Sequence, residues 1–113
     1  MNARISALPF GELYSLYLAK VERKGRTQQE LDLVLGWFFG LPPEELAQLH
    51  PLTLAEVTEK YQLSPGANQI TGSVCGVNVA TVTDPFMAKV RRMDKVVDDL
   101  ARGKQLNRII TTG

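Results

Sequence analysis

The sequence predicts a mainly α-helical protein, with four to six helices around one core and a short β-hairpin near residues 70–82. Three observations lead there. Apolar residues recur at helical spacing in several separate stretches, most clearly between Phe86 and Leu100. Thr27 with Glu30, and Thr53 with Glu56, form two Thr-x-x-Glu boxes of the kind that start helices. Residues 63–83 alone depart from the helical pattern. There Ile70, Val74, Val77, Val79 and Val82 alternate with Thr, Ser, Gly and Asn at a period nearer two than 3.6.

In the first helix, expected from Phe10 or Gly11 to Lys24, Phe10, Leu13, Tyr14, Tyr17 and Val21 share one face. Gly25 offers a left-handed stop, and Lys20, Arg23 and Lys24 suit the negative end of the helix dipole. The second helix follows Thr27 directly. Leu31, Val34, Leu35 and Phe38 make its stripe, and Leu33, Trp37 and Phe39 widen it, so burial on most sides is expected before Gly40 ends it. The short Gly25-Arg26 connection implies a pair folded back as an αα-hairpin or crossed as a helix-turn-helix.

A third, short helix is expected after Pro42-Pro43. Glu44 and Glu45 fall in its first turn, and His50-Pro51 should stop it by forcing His50 into extended geometry. The second box predicts a fourth helix reaching Gln62, with Leu54, Val57 and Tyr61 on one face. Residues 64–68, Ser-Pro-Gly-Ala-Asn, read as loop. The clearest helix begins at Asp84-Pro85, an N-cap followed by a proline suited to the first turn. Phe86, Val90, Met93, Val97 and Leu100 recur at spacings of 4, 3, 4 and 3 before Gly103. That narrow seam suits packing against one partner helix, with Arg91, Lys95 and Arg102 toward solvent. A final short helix with Leu106, Ile109 and Ile110 is expected after it.

Composition limits the function classes. At 113 residues, 44% apolar and 22% charged, the chain is expected to be one globular domain over 1–113. Its longest apolar stretch, residues 33–41, falls far short of the ~20 residues of a membrane span. Met1-Asn2-Ala3-Arg4 has no signal-peptide core, and the single cysteine, Cys75, suits a reducing compartment. The expectation is a cytoplasmic protein without membrane contact.

The net charge of +1 conceals segregation. Residues 1–26 carry five basic and two acidic groups, residues 27–63 one basic and six acidic, and residues 84–113 seven basic and four acidic. Two basic segments on one face could contact phosphates. However, the second helix presents Leu, Val, Trp and Phe where a DNA-reading helix needs polar and basic side chains.

Four residues are candidates for chemistry, each against a plainer role. Cys75 could be a nucleophile, but a reactive thiolate needs a base or positive potential nearby, and free cysteines commonly serve as small buried apolar residues. His50, the one histidine, could be a general base or metal ligand, yet no second histidine stands at ligand spacing. Asp94 and Asp98 stack at i, i+4 and could hold a divalent cation. Arg91 and Lys95 beside them, with Lys95 and Asp99 also at i, i+4, make a solvated charged face the plainer account. No catalytic residue, metal or cofactor is therefore assigned.

Two long runs carry a family resemblance. The first is 17–27, Tyr-Leu-Ala-Lys-Val-Glu-Arg-Lys-Gly-Arg-Thr, followed by Trp37-Phe38-Phe39-Gly40. The second is 70–77, Ile-Thr-Gly-Ser-Val-Cys-Gly-Val, followed by Asp84-Pro85-Phe86-Met87 and by residues 93–104. Together they resemble a family of small bacterial proteins, the domain of unknown function 2200. The resemblance spans nearly the whole chain and is weakest from Gly40 to Asn68. It implies one domain and brings no site residue with it. The residues themselves favour a non-enzymatic bacterial protein acting through protein–protein contacts or as a homo-oligomer, because Trp37-Phe38-Phe39 is expected to present more apolar surface than a small domain can cover. The alternatives are nucleic-acid binding through the basic segments and a small enzyme using Cys75.

Overall fold

A local rule starts the second long helix of the chain. The computed structural model describes residues 3–74 and 76–111. After a single turn, α1 (Ala3–Ser6), helix α2 runs Phe10–Arg23, and its four buried residues are Phe10, Tyr14, Tyr17 and Val21. Helix α3, Gln28–Phe39, begins at a complete capping box: the Thr27 hydroxyl accepts from the Glu30 amide while Glu30 accepts from the Thr27 amide. It ends at Gly40, whose φ of +67° is left-handed and favours glycine. Leu31, Val34, Leu35, Gly36, Phe38 and Phe39 of α3 are inside, but the buried surface is narrower than expected, because Leu33 is exposed and Trp37 half-buried.

The next segment, Pro43–Leu49, is a 3-10 helix that packs on α3. His50 follows it and corrects an expectation. Despite Pro51, His50 stands in right-handed helical geometry, at φ −55° and ψ −42°. The pre-proline bias is steric and modest, and here tertiary contacts oppose it. The His50 carbonyl accepts from the Gly11 amide at 3.1 Å, and its ring packs 4.8 Å from that of Tyr14. Helix α4, Leu54–Lys60, starts at the second complete box, Thr53 with Glu56. It ends at Lys60, two residues short of the expected Gln62, because Tyr61 is extended. Residues 64–68 are not loop: Pro65–Asn68 makes one helical turn, α5, capped by the Ser64 hydroxyl.

The departure from helical period is real. Strands β1 (Ser73–Val74) and β2 (Val77–Asn78) pair antiparallel, Ser73 opposite Asn78 and Val74 opposite Val77, and a 3-10 turn over Val79–Thr81 follows. Helix α6, Pro85–Ala101, is capped by Asp84, and α7, Leu106–Ile109, closes the described chain. The architecture is mainly helical with one small two-stranded sheet. Five helical elements among the described residues have seven residues or more.

Helix α6 is the axis of the core. It packs on α2, α3, α4 and α7, and also on β1 and the Val79–Thr81 turn. The seam expected from its spacing is accordingly too narrow. Ala88, Val96 and Ala101 are buried as well as Phe86, Val90, Met93, Val97 and Leu100. Each large apolar side chain so buried stabilises the fold by about 1.5–3 kcal/mol. Lys95 is not left to solvent either. Its side chain is only 18% exposed, paired with Asp99, and its Cε would lie 2.9 Å from a Cβ placed on Gly72.

Candidate functional site

Asp94 and Asp98 of α6 stand beside Tyr17 and Lys20 of α2. Tyr17 donates its hydroxyl proton to Asp94 Oδ1, and Arg91 Nη1 lies 3.6 Å from the other oxygen. Burial pushes the Asp94 carboxyl above its ordinary pKa, opposed by the Tyr17 hydrogen bond and by the charges of Arg91 and Lys20. Asp98 pairs with Lys20 at 3.1 Å and Arg102 at 2.8 Å. Asp99 pairs with Lys95 at 2.6 Å and Lys104 at 3.6 Å. Asp94 and Asp98 therefore share a helix face but turn to different partners. Among the described residues, no three metal-ligating side chains converge.

His50 lies elsewhere, stacked in the aromatic group of Tyr14 and Phe10, with ring centroids 4.8 and 6.0 Å away. Tyr14 in turn donates to Asp32 Oδ1 and accepts from Gln28 Nε2 at 3.0 Å. Burial, aided by the Asp32 hydrogen bond, pushes the Tyr14 hydroxyl up to about 12. Cys75 lies outside the described residues. The two tyrosines read from the sequence as core positions alone. The missed signal is chemical: a tyrosine on a core stripe must find a partner for its hydroxyl.

The aromatic run of α3 is divided by the fold. Phe38 and Phe39 are buried, whereas Trp37 is half-buried at the wall of a cleft of about 250 Å³ bounded by α3, α5, α6 and α7. Its indole Nε1 donates to the Thr111 carbonyl at 2.7 Å. That arrangement requires Gly66, because a Cβ there would meet the Thr111 oxygen at 2.5 Å and Trp37 Cζ2 at 3.0 Å. Ile70, Val96 and Ile109 add apolar wall, while Gln69, Thr71, Asp99, Lys104 and Arg108 add polar groups. Of these polar residues the sequence drew attention to Asp99 alone, with the other aspartates of α6, since the rest come from separate stretches and form no spaced motif.

A second depression, about 350 Å³, lies where α4 meets α6, with Thr58, Glu59, Phe86 and Lys89 in its lining. Lys89 is engaged there, donating to the Thr58 carbonyl at 3.0 Å. No helix among the described residues is long and apolar enough to cross a membrane.

No curated protein matches the chain. Its fold is similar to that in a crystal structure of the uncharacterized protein SP1917, with a TM-score of 0.86 and 33% sequence identity, covering 96% of this chain and 92% of that one. The family model described as "Uncharacterized protein conserved in bacteria", the domain of unknown function 2200, matches residues 4–111, including the stretch from 40 to 68 where the sequence resemblance is weakest. By that match the chain belongs to this bacterial family.

Proposed function

We propose that this protein is a non-enzymatic binding domain that acts through protein–protein contacts, association with a second copy of itself first among them. The observation that supports this is the outward position of Leu16 and Leu33. They are the exposed large apolar side chains among the described residues, 64% and 43% accessible. Both stand on the outer sides of α2 and α3, the helix pair whose inner sides build the core. Single exposed leucines are ordinary surface, so the contact they support is modest in area. That suits a reversible, concentration-dependent dimer rather than an obligate one.

The pairing of charges favours this reading over nucleic-acid binding. The basic segments do lie side by side, but Lys20, Arg26, Lys95, Arg102 and Lys104 each engage a carboxylate of the same chain. A cytoplasmic setting is part of the proposal and rests on the single cysteine. Light scattering across micromolar to millimolar concentrations should show the mass rising toward a dimer. Leu16→Lys together with Leu33→Lys should hold the protein monomeric. A wild type that stays monomeric throughout would overturn self-association.

A further inference from the structure

The cleft beside Trp37 has a charge and a size that specify a ligand class. Among the described residues Asp99 is the one carboxylate in its wall, and both of its oxygens are already met, by Lys95 and by Lys104. Arg108, exposed on α7, makes no ion pair among the described residues. Among the described lining residues two cations, Lys104 and Arg108, thus face one carboxylate that Lys95 already neutralises, and the surplus is positive. Lys104 holds its partner loosely, at 3.6 Å and with 44% of its side chain exposed, so it can turn to an incoming anion at little cost. The Trp37 ring and Ile70 line the same cleft. The volume, about 250 Å³, lies below the ~300–1,000 Å³ of sites for drug-sized ligands.

We propose that this cleft binds a small organic carboxylate with a compact apolar body, such as one ring or a short branched chain. The Arg108 guanidinium takes the carboxylate in its planar fork, Lys104 adds a second charge, and the apolar body lies against Trp37 and Ile70. A monoanion fits better than a phosphate dianion. Asp99 in the wall opposes the second negative charge. This inference does not depend on self-association and survives if the protein is a monomer.

Trp37 is the only tryptophan, so its indole N–H gives a single, assignable proton–nitrogen resonance. Full-length protein is titrated with benzoate, and separately with benzyl alcohol and with inorganic phosphate. Benzoate should move the indole resonance saturably, at concentrations at least about tenfold lower than either control, the loss expected for one charge-assisted contact. In Lys104→Gln with Arg108→Gln, whose remaining amide spectrum reports an intact fold, benzoate should weaken to the level of benzyl alcohol. An indole resonance indifferent to benzoate would overturn the proposal. So would equal affinity for benzyl alcohol or phosphate, or benzoate binding unchanged in the double variant.

Discussion

Tyr17 on α2 donates its hydroxyl proton to Asp94 on α6, joining two residues 77 positions apart in the sequence. The bond gives a partly buried carboxylate its donor and fixes α2 beside the central helix. Tyr17→Phe should lower stability by about 1–3 kcal/mol, the cost of leaving a desolvated acceptor unmet. Asp94→Asn retains an acceptor without the charge and should cost less. Urea unfolding at neutral pH compares the two, and equal losses would contradict the role given to the charge. The pH dependence has a definite sign. Because the folded-state pKa of Asp94 is raised, its contribution is most favourable with the carboxyl protonated, and it declines as pH rises from the unfolded carboxylate range through the folded pKa. The stability of the wild type relative to Asp94→Asn should therefore fall across that window.

Tyr14 carries the same logic at the alkaline end. Its hydroxyl is pushed from 10.0 to about 12, first by burial and then by Asp32, so the folded state retains a proton that the unfolded chain has lost. Its contribution to stability is complete below pH 10.0 and disappears as pH rises toward about 12. Tyrosinate absorbance should show a late-ionising component that is lost in Tyr14→Phe. Denaturation in the same range should show a shallower loss of stability in that variant.

Gly66→Ala tests the anchoring of the final described residues. The new Cβ would overlap the Thr111 carbonyl and hydroxyl oxygens, at 2.5 and 2.6 Å, so that segment must move from Trp37. The substitution should cost about 1–3 kcal/mol as overpacking. It should also free the indole from the Thr111 oxygen, shifting Trp37 emission to longer wavelength. Unchanged emission in a folded variant would show that the contact does not depend on Gly66.

Local rules in the sequence account for most helix ends. Thr27 and Thr53 cap their helices with side chains three residues away, and Gly40 stops α3 by its own backbone freedom. No distant residue is needed for such signals. His50 shows where they fail, because its neighbour Pro51 favours extended backbone while Gly11 and Tyr14, far away in sequence, hold it helical. Residues 65–68 fail similarly. A proline–glycine composition reads as loop, yet Ser64 caps a turn there that packs on α3.

By itself the sequence determined the fold class, the boxes at Thr27 and Thr53, the cap at Asp84 and the inward stripes of α2 and α6. Capping, periodicity and left-handed stops act within a few residues. Only the tertiary structure decided that Asp94 meets Tyr17, that Asp98 meets Lys20, and that Phe38 and Phe39 are covered by the chain itself. It also assembled the cleft, bringing Trp37 and Ile70 to Lys104 and Arg108. Those outcomes depend on which helix faces approach one another, and packing around α6 fixes that approach through contacts that no local pattern encodes.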